Sequence, residues 1–401
     1  MKLAVLVLGL FATLATADDS AWRTSWDAKL YGYASSASLR GDSVLNPGNR
    51  IAHLAQRSET TELRLNLKAE NETVRLTARP IASIRETHNA FGSERHSDTY
   101  LSQWQVRVRA AEGWNVAAGR DVLNWGPAQF RSPSSPFYFD NGRQDPMREL
   151  VGMDSVKLTW TPDMQSSVSL VRVVRSGHGA TRPDAWRDNW QMSWLMKFDR
   201  RGDEWSYGLV AAKAADRAAF FGAHGQATVS DALMLYGEVG SSVLAHALQS
   251  PADAAQPFTV LSASPRRITA LVGSSYTFED GKSLAVEYLH EGHGYTPAQE
   301  SAYFQRAAND PGMALEPRLL GRNYLHLVMQ SNLMDERGFW RLMYTRHIAD
   351  GGSEVGAYGE SVLTSRITAF LLAVVPLGNA RQEFSALSQR SITLGLKIAL
   401  P

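Results

Sequence analysis

The chain has no cysteine. An exported protein without thiols gains nothing from disulfides, so its stability rests on hydrogen-bonded backbone and packing. It also lacks net charge: 41 Lys and Arg stand against 40 Asp and Glu, formally +1. That balance argues against a nucleic-acid binder, which carries a clear basic excess. Beyond the first residues, no apolar run approaches the roughly 20 residues of a membrane helix. The best candidate, Ala369 to Leu377, has nine residues and contains Pro376. No internal repeat at a fixed period stands out, which argues against a propeller or solenoid. If such a chain enters a membrane, it does so as strands.

The first residues read as a secretory signal, with Lys2 as the positive start, Leu3 to Leu14 as the apolar core and Ala15-Thr16-Ala17 as the cleavage site. The alternative is an uncleaved anchor, for which the apolar run is short. Residues 1–17 are therefore expected to be removed, leaving 18–401 as one domain with no visible linker.

From there the apolar period is two. Leu63, Leu65 and Leu67 alternate with Arg64, Asn66 and Lys68; Val74, Leu76 and Ala78 with Arg75, Thr77 and Arg79; Trp104, Val106 and Val108 with Gln105, Arg107 and Arg109. The rhythm recurs to the end, where Ile392, Leu394, Leu396, Ile398 and Leu400 close it. Such alternation predicts strands with one apolar and one polar face. Tight polar turns such as Glu112-Gly113 and Glu279 to Lys282 alternate with long connections near 35–57, 87–98, 126–152, 176–187, 245–266, 292–321 and 377–389. Short turns at one end and long loops at the other are the signature of an outer-membrane barrel. The fold expected is all-β: a closed antiparallel transmembrane β-barrel of 16–18 strands, 18 favoured. The count hinges on 353–377, where no clear turn residue divides two strands. In lipid the apolar face lies outside and the polar face lines a wet interior.

That interior carries the first candidate site. Arg64, Lys68, Arg75, Arg79, Arg85, Arg107 and Arg109 come from three consecutive segments that antiparallel pairing makes neighbours. They predict a basic lumen wall, suited to carboxylate or phosphate groups because the guanidinium offers a planar fork. The alternative is that they pair with Glu59, Glu62, Glu70 and Glu72. Most tryptophans fall near strand ends, as interface girdles do. Gly-His-Gly occurs at 177–179 and 292–294, but His290 and His293 are three apart, which puts them on opposite faces of a strand and disfavours a metal site. Ser176 with His178, or His293 with another serine, lacks a third orienting group, so an enzyme is not expected. Nothing calls for a cofactor.

The second candidate site is the third long loop, 126–152, preceded by Gly119 to Trp125. It combines Arg131, Arg143 and Arg148 with Asp140, Asp145 and Glu149, and Trp125, Phe137 and Tyr138 offer faces for stacking on sugar rings. Pro127, Pro133, Pro136 and Pro146 stiffen its backbone. In porins the third loop often folds into the channel and sets its width, and by resemblance this one does the same. The run GRDVLNWGPAQFRSP with DNGRQDPMREL resembles the Trp-Gly-Pro loop of the Wzi-type capsule-assembly barrels, on Gly119, Trp125, Gly126, Pro127, Ser132 and Pro146. The resemblance implies an outer-membrane barrel of a Gram-negative bacterium that handles acidic polysaccharide at the cell surface. The alternative is a general or anion-selective porin for small solutes. Expected partners are outer-membrane lipid and acidic polysaccharide or small anions, not nucleic acid; the oligomeric state is not legible.

Overall fold

The structure is a computed structural model that describes residues 22–150, 152–176, 192–309, 319–332, 334–335 and 337–400. Alternation becomes pairing in sequence order. The first strands are β1 (Arg23–Leu39), β2 (Arg57–Glu70), β3 (Val74–Asn89), β4 (Gly92–Ala111), β5 (Trp114–Asp121) and β6 (Met153–Trp160). They are followed by β7 (Ser166–Ser176), β8 (Ser193–Arg201), β9 (Trp205–Lys213), β10 (Phe220–Thr228) and β11 (Leu233–Ser242). A small separate hairpin, β12 (Ala245–Gln249) with β13 (Thr259–Ala263), interrupts the series. The wall then resumes with β14 (Arg267–Thr277), β15 (Ser283–His290), β16 (Asn323–Gln330) and β17 (Gly338–His347). It ends with β18 (Ser353–Val362), β19 (Ile367–Leu377) and β20 (Ser388–Leu400).

Every wall strand is antiparallel to the next, and β20 pairs with β1 from Ala28↔Leu400 to Leu39↔Ser388, closing an 18-stranded barrel. Closure leaves no edge with unpaired N–H and C=O groups, which lipid would not tolerate. The favoured count of 18 holds. Short turns gather at one rim, the turn end, and long connections at the other, the loop end.

Directly paired residues share a face. Leu30 pairs with Leu63 and Leu63 with Ala82, on the outside; Arg64 pairs with Ile81 and Glu70 with Arg75, on the inside. The outer band is apolar all round, with Val272 and Leu394 each 61% exposed. A band of that extent fits lipid and not water. Stacked Trp114 and Trp160, with ring centroids 5.7 Å apart, stand at the turn end of this band as girdle aromatics.

Several connections differ from expectation. Residues 87–98 form no long loop: β3 and β4 stay paired out to Asn89↔Gly92, forming an arm beyond the rim. Its alternating residues are polar, and Glu86 stands opposite Arg95, a pair of opposite charge that supports pairing where the apolar pattern stops. The doubtful segment 353–377 does turn, at 363–366, where the Thr364 hydroxyl accepts hydrogen bonds from the backbone N–H groups of Arg366 (3.2 Å) and Ile367 (3.1 Å). The connection expected near 292–321 holds helix α1 (Pro297–Asn309). Thr296 and Gln299 cap its start reciprocally, Gln299 Oε1 accepting from the Thr296 N–H (2.9 Å) and the Thr296 hydroxyl from the Gln299 N–H (3.4 Å).

Candidate functional site in the lumen

β5 ends before Trp125, so the third connection runs from 122 to 152 and lies inside the barrel. A backbone folded into a lumen still has to satisfy its N–H groups. Two wall carboxylates do this. Glu238, inward on β11, accepts from the Ala128 N–H (3.0 Å) and from the hydroxyls of Ser132 (2.6 Å) and Ser134 (2.7 Å). Glu287, inward on β15, accepts from the N–H groups of Gln129 (2.6 Å) and Phe130 (2.8 Å) and from the Tyr236 hydroxyl (2.7 Å). The contact is close enough to need glycine on both sides. A Cβ on Gly240 of the wall would stand 2.0 Å from the Pro133 carbonyl oxygen, and one on Gly126, at φ +93°, 2.3 Å from Glu238 Oε1.

Within the loop, Arg143 donates to the carbonyls of Gly126 (3.0 Å), Pro127 (2.7 Å) and Ala128 (2.7 Å), and its own carbonyl accepts from Arg341 of β17 at 2.7 Å. Arg131 lies over the Phe130 ring, 4.6 Å from its centroid, and donates to Gln144 Oε1 at 3.1 Å. Arg148 pairs with Asp140. Burial pulls the Asp140 carboxyl up, but Arg131, Arg148 and the Gly142 N–H outweigh it and hold it below the usual range. Trp125 donates its indole N–H to the Ser134 carbonyl (3.3 Å) and packs edge-on to Phe137. Tyr138 is buried with Val171, Val173, Leu195 and Val210 of the wall, and Trp125 and Phe137 pack against the same cluster.

The wall arginines divide into two sets. Arg64 is buried between Glu62 and Glu149, donates to Glu149 at 2.6 Å and lies 4.4 Å over the Tyr31 ring. Arg79 meets the same Glu149 at 3.0 Å, while Lys68 (2.7 Å) and Arg75 (2.8 Å) share Glu70. Arg85, Arg107 and Arg109 also face inward by register, yet no carboxylate lies within ion-pair distance of them among the described residues. Arg85 lines a cavity of about 380 Å³ between the loop and the wall of β1–β4, with Tyr33, Tyr100 and Asp145.

Glu238 and Glu287 were not singled out by the sequence. Their signal was there, a lone acid on the inward face between small or apolar neighbours, in Tyr236-Gly237-Glu238-Val239-Gly240 and Val286-Glu287-Tyr288. The His293 ring sits between the hydroxyls of Ser242 (3.0 Å) and Ser264 (3.4 Å). The second Gly-His-Gly, at 177–179, lies outside the described residues.

Above the loop, other connections pack into a cap. Tyr295, Tyr303, Phe304, Leu320 and Ala386 form its buried centre, and Arg306 of α1 donates to the carbonyls of Pro251, Asp253 and Gln256. An ionic joint ties the cap to the wall. His347 Nε2 lies 3.2 Å from Glu300 of α1, and Nδ1 lies 3.1 Å from Asp350 and 3.6 Å from Glu383. Tyr324 stacks on the imidazole and donates its hydroxyl to Glu383 at 2.5 Å. A neutral imidazole has one N–H, but carboxylates face both nitrogens, so the joint needs one further proton between His347 and Glu300. Burial pushes the Glu300 carboxyl up to about 8, Asp350 and Glu383 add to the rise, and the His347 charge opposes it.

No protein-family model and no curated protein matches the chain. Its fold matches solved outer-membrane porins. Pseudomonas aeruginosa OccK11 (OpdR) aligns with TM-score 0.57 at 10% identity over 94% of this chain and 96% of that one. OprD of the same organism gives 0.53 at 10% over 94% and 95%, and OccK5 (OpdH) 0.53 at 8% over 94% and 98%. At such identities the likeness is one of fold. The resemblance of the Trp-Gly-Pro loop to capsule-assembly barrels finds no support among these structures. In this chain Trp125 packs on the wall and Gly126, at φ +93°, lets the backbone pass close to Glu238, so the run serves the loop's own packing.

Two predictions follow from this geometry. Glu238→Ala and Glu287→Ala each strand buried N–H groups, at about 1–3 kcal/mol per group. Trypsin should then cut the folded barrel at Arg131, Arg143 or Arg148 in either variant but not in the parent; equal resistance counts against the anchoring role. The second concerns pH. A carboxyl raised in the docked cap stabilises docking fully below its ordinary value, about 4.5, and that contribution is lost as pH rises through about 8. Hydrogen-exchange protection of α1, corrected for intrinsic rates, should fall between about pH 6 and about pH 9. Glu300→Gln, whose amide donates to His347 at any pH, should flatten the profile.

Proposed function

We propose that this chain is an outer-membrane channel of porin type for small solutes, with anions favoured. It stands in lipid by its apolar band, its third loop narrows the lumen, and residues 1–17 are an export signal removed on the way. The observation that carries the reading is the loop folded inside a closed 18-strand barrel whose inward Arg85, Arg107 and Arg109 have no carboxylate partner among the described residues. Charges lining a narrow passage with low-dielectric walls focus their field on the solute path. Handling of acidic polysaccharide is the weaker reading. The aromatics suited to sugar stacking, Trp125, Phe137 and Tyr138, are spent on wall contacts, and four of the seven basic wall residues are spent on Glu70 and Glu149.

The test is reversal potential across a planar bilayer holding the purified chain in a potassium chloride gradient. A permeability ratio in favour of chloride is expected, moving toward cations in the triple Ala variant of Arg85, Arg107 and Arg109. The preference should weaken between about 0.1 M and about 1 M salt, as the screening length falls from ~10 Å to ~3 Å. A cation preference in the parent, or a ratio unchanged in the triple variant, counts against the anion reading.

A further inference from the structure

The loop is fastened to opposite walls in different ways. On one side six loop donors meet Glu238 and Glu287. On the other the stretch 145–149 meets β1–β3, β18 and β19. Tyr31, Tyr358 and Phe370 point inward there by register, Tyr31 opposite Lys397, Tyr358 opposite Leu372 and Phe370 opposite Gly395. Rings facing an open aqueous lumen would be wet, yet these three are 8%, 2% and 2% exposed. The loop residue buried with them is Met147, itself 9% exposed. The loop thus crosses the lumen from wall to wall.

Two cavities, of about 380 Å³ and about 320 Å³, lie beside this crossing and share Asp145, Arg148, Leu372 and Thr393 in their linings. Met147 borders the larger one. Among the described residues, polar ties on this side include Arg64 to the Met147 carbonyl at 3.2 Å, and Arg64 and Arg79 to Glu149.

Given the channel reading, on which this rests, we infer that Met147 against Tyr31, Tyr358 and Phe370 is the apolar seal of the conducting path. The Glu238/Glu287 side is the fixed edge of the loop and the Met147 side its movable edge. An apolar constriction stops ions by excluding water, so its width is set by side-chain bulk and not by charge. Methionine suits the place because its unbranched, polarizable chain fills an irregular gap between rings and yields without breaking a hydrogen bond.

The experiment is single-channel recording on the full chain, with Met147→Gly and Met147→Ala beside the parent, each first shown to migrate as a folded barrel. Conductance should rise roughly two-fold or more in Met147→Gly and less in Met147→Ala, with the anion-to-cation ratio unchanged. A conducting parent matched by Met147→Gly overturns the seal and leaves the channel reading standing. No conductance in any folded variant, including one lacking residues 129–142, overturns both. Because the chain has no other thiol, Met147→Cys gives a second measurement. A charged methanethiosulfonate should change its conductance in a single step, and labelling without such a change also overturns the seal.

Discussion

The structure turns on how a loop backbone is satisfied inside a barrel. Strands give away their N–H and C=O groups to neighbours, but the irregular chain folded into the lumen has no such ladder. Two carboxylates from the wall serve instead. Glu238 and Glu287 are acceptor-only groups with room for several donors each, and they face a run of backbone N–H groups and serine hydroxyls. Everything around them is arranged for close approach: Gly240 under Pro133, Gly126 over Glu238, and Arg143 tying the carbonyls of the same turn.

That anchoring decides what the other charges do. Once the loop is pinned to the β11–β15 wall, its far stretch reaches β2 and β3, and Glu149 falls between Arg64 and Arg79. The basic wall therefore loses its middle to the loop and part of its turn end to Glu70. Arg85 toward the loop end and Arg107 and Arg109 toward the turn end have no carboxylate within ion-pair distance among the described residues. The same geometry closes the aromatic contact at Met147.

The cap is a separate device. One of its ties to the wall is an imidazole with carboxylates at both nitrogens, and that tie is weakened when the extra proton is lost. Burial opposes charging Asp350 too, but its hydrogen bond with His347 and the Glu383 N–H keep its carboxyl below the ordinary range. Of the carboxyls around the ring, Glu300 and Asp350 are thus pushed in opposite directions.

Much of the architecture was legible from residue order. A period of two places Leu63 outward and Arg64 inward whatever else is true, because successive side chains on a strand point to opposite faces. The alternation of tight polar turns and long connections led to a closed barrel with 18 strands favoured. Local chemistry was also readable, though passed over: Thr364 as a turn former and Thr296 with Gln299 as a helix start act through neighbours a few residues away. What order alone did not decide was partnership across the lumen. Glu238 meets Ser132, Glu149 meets Arg64 and Met147 meets Phe370 over more than eighty positions. Alternation fixes which face a residue takes but not which distant residue waits there, and only closure of the sheet around the loop sets that distance.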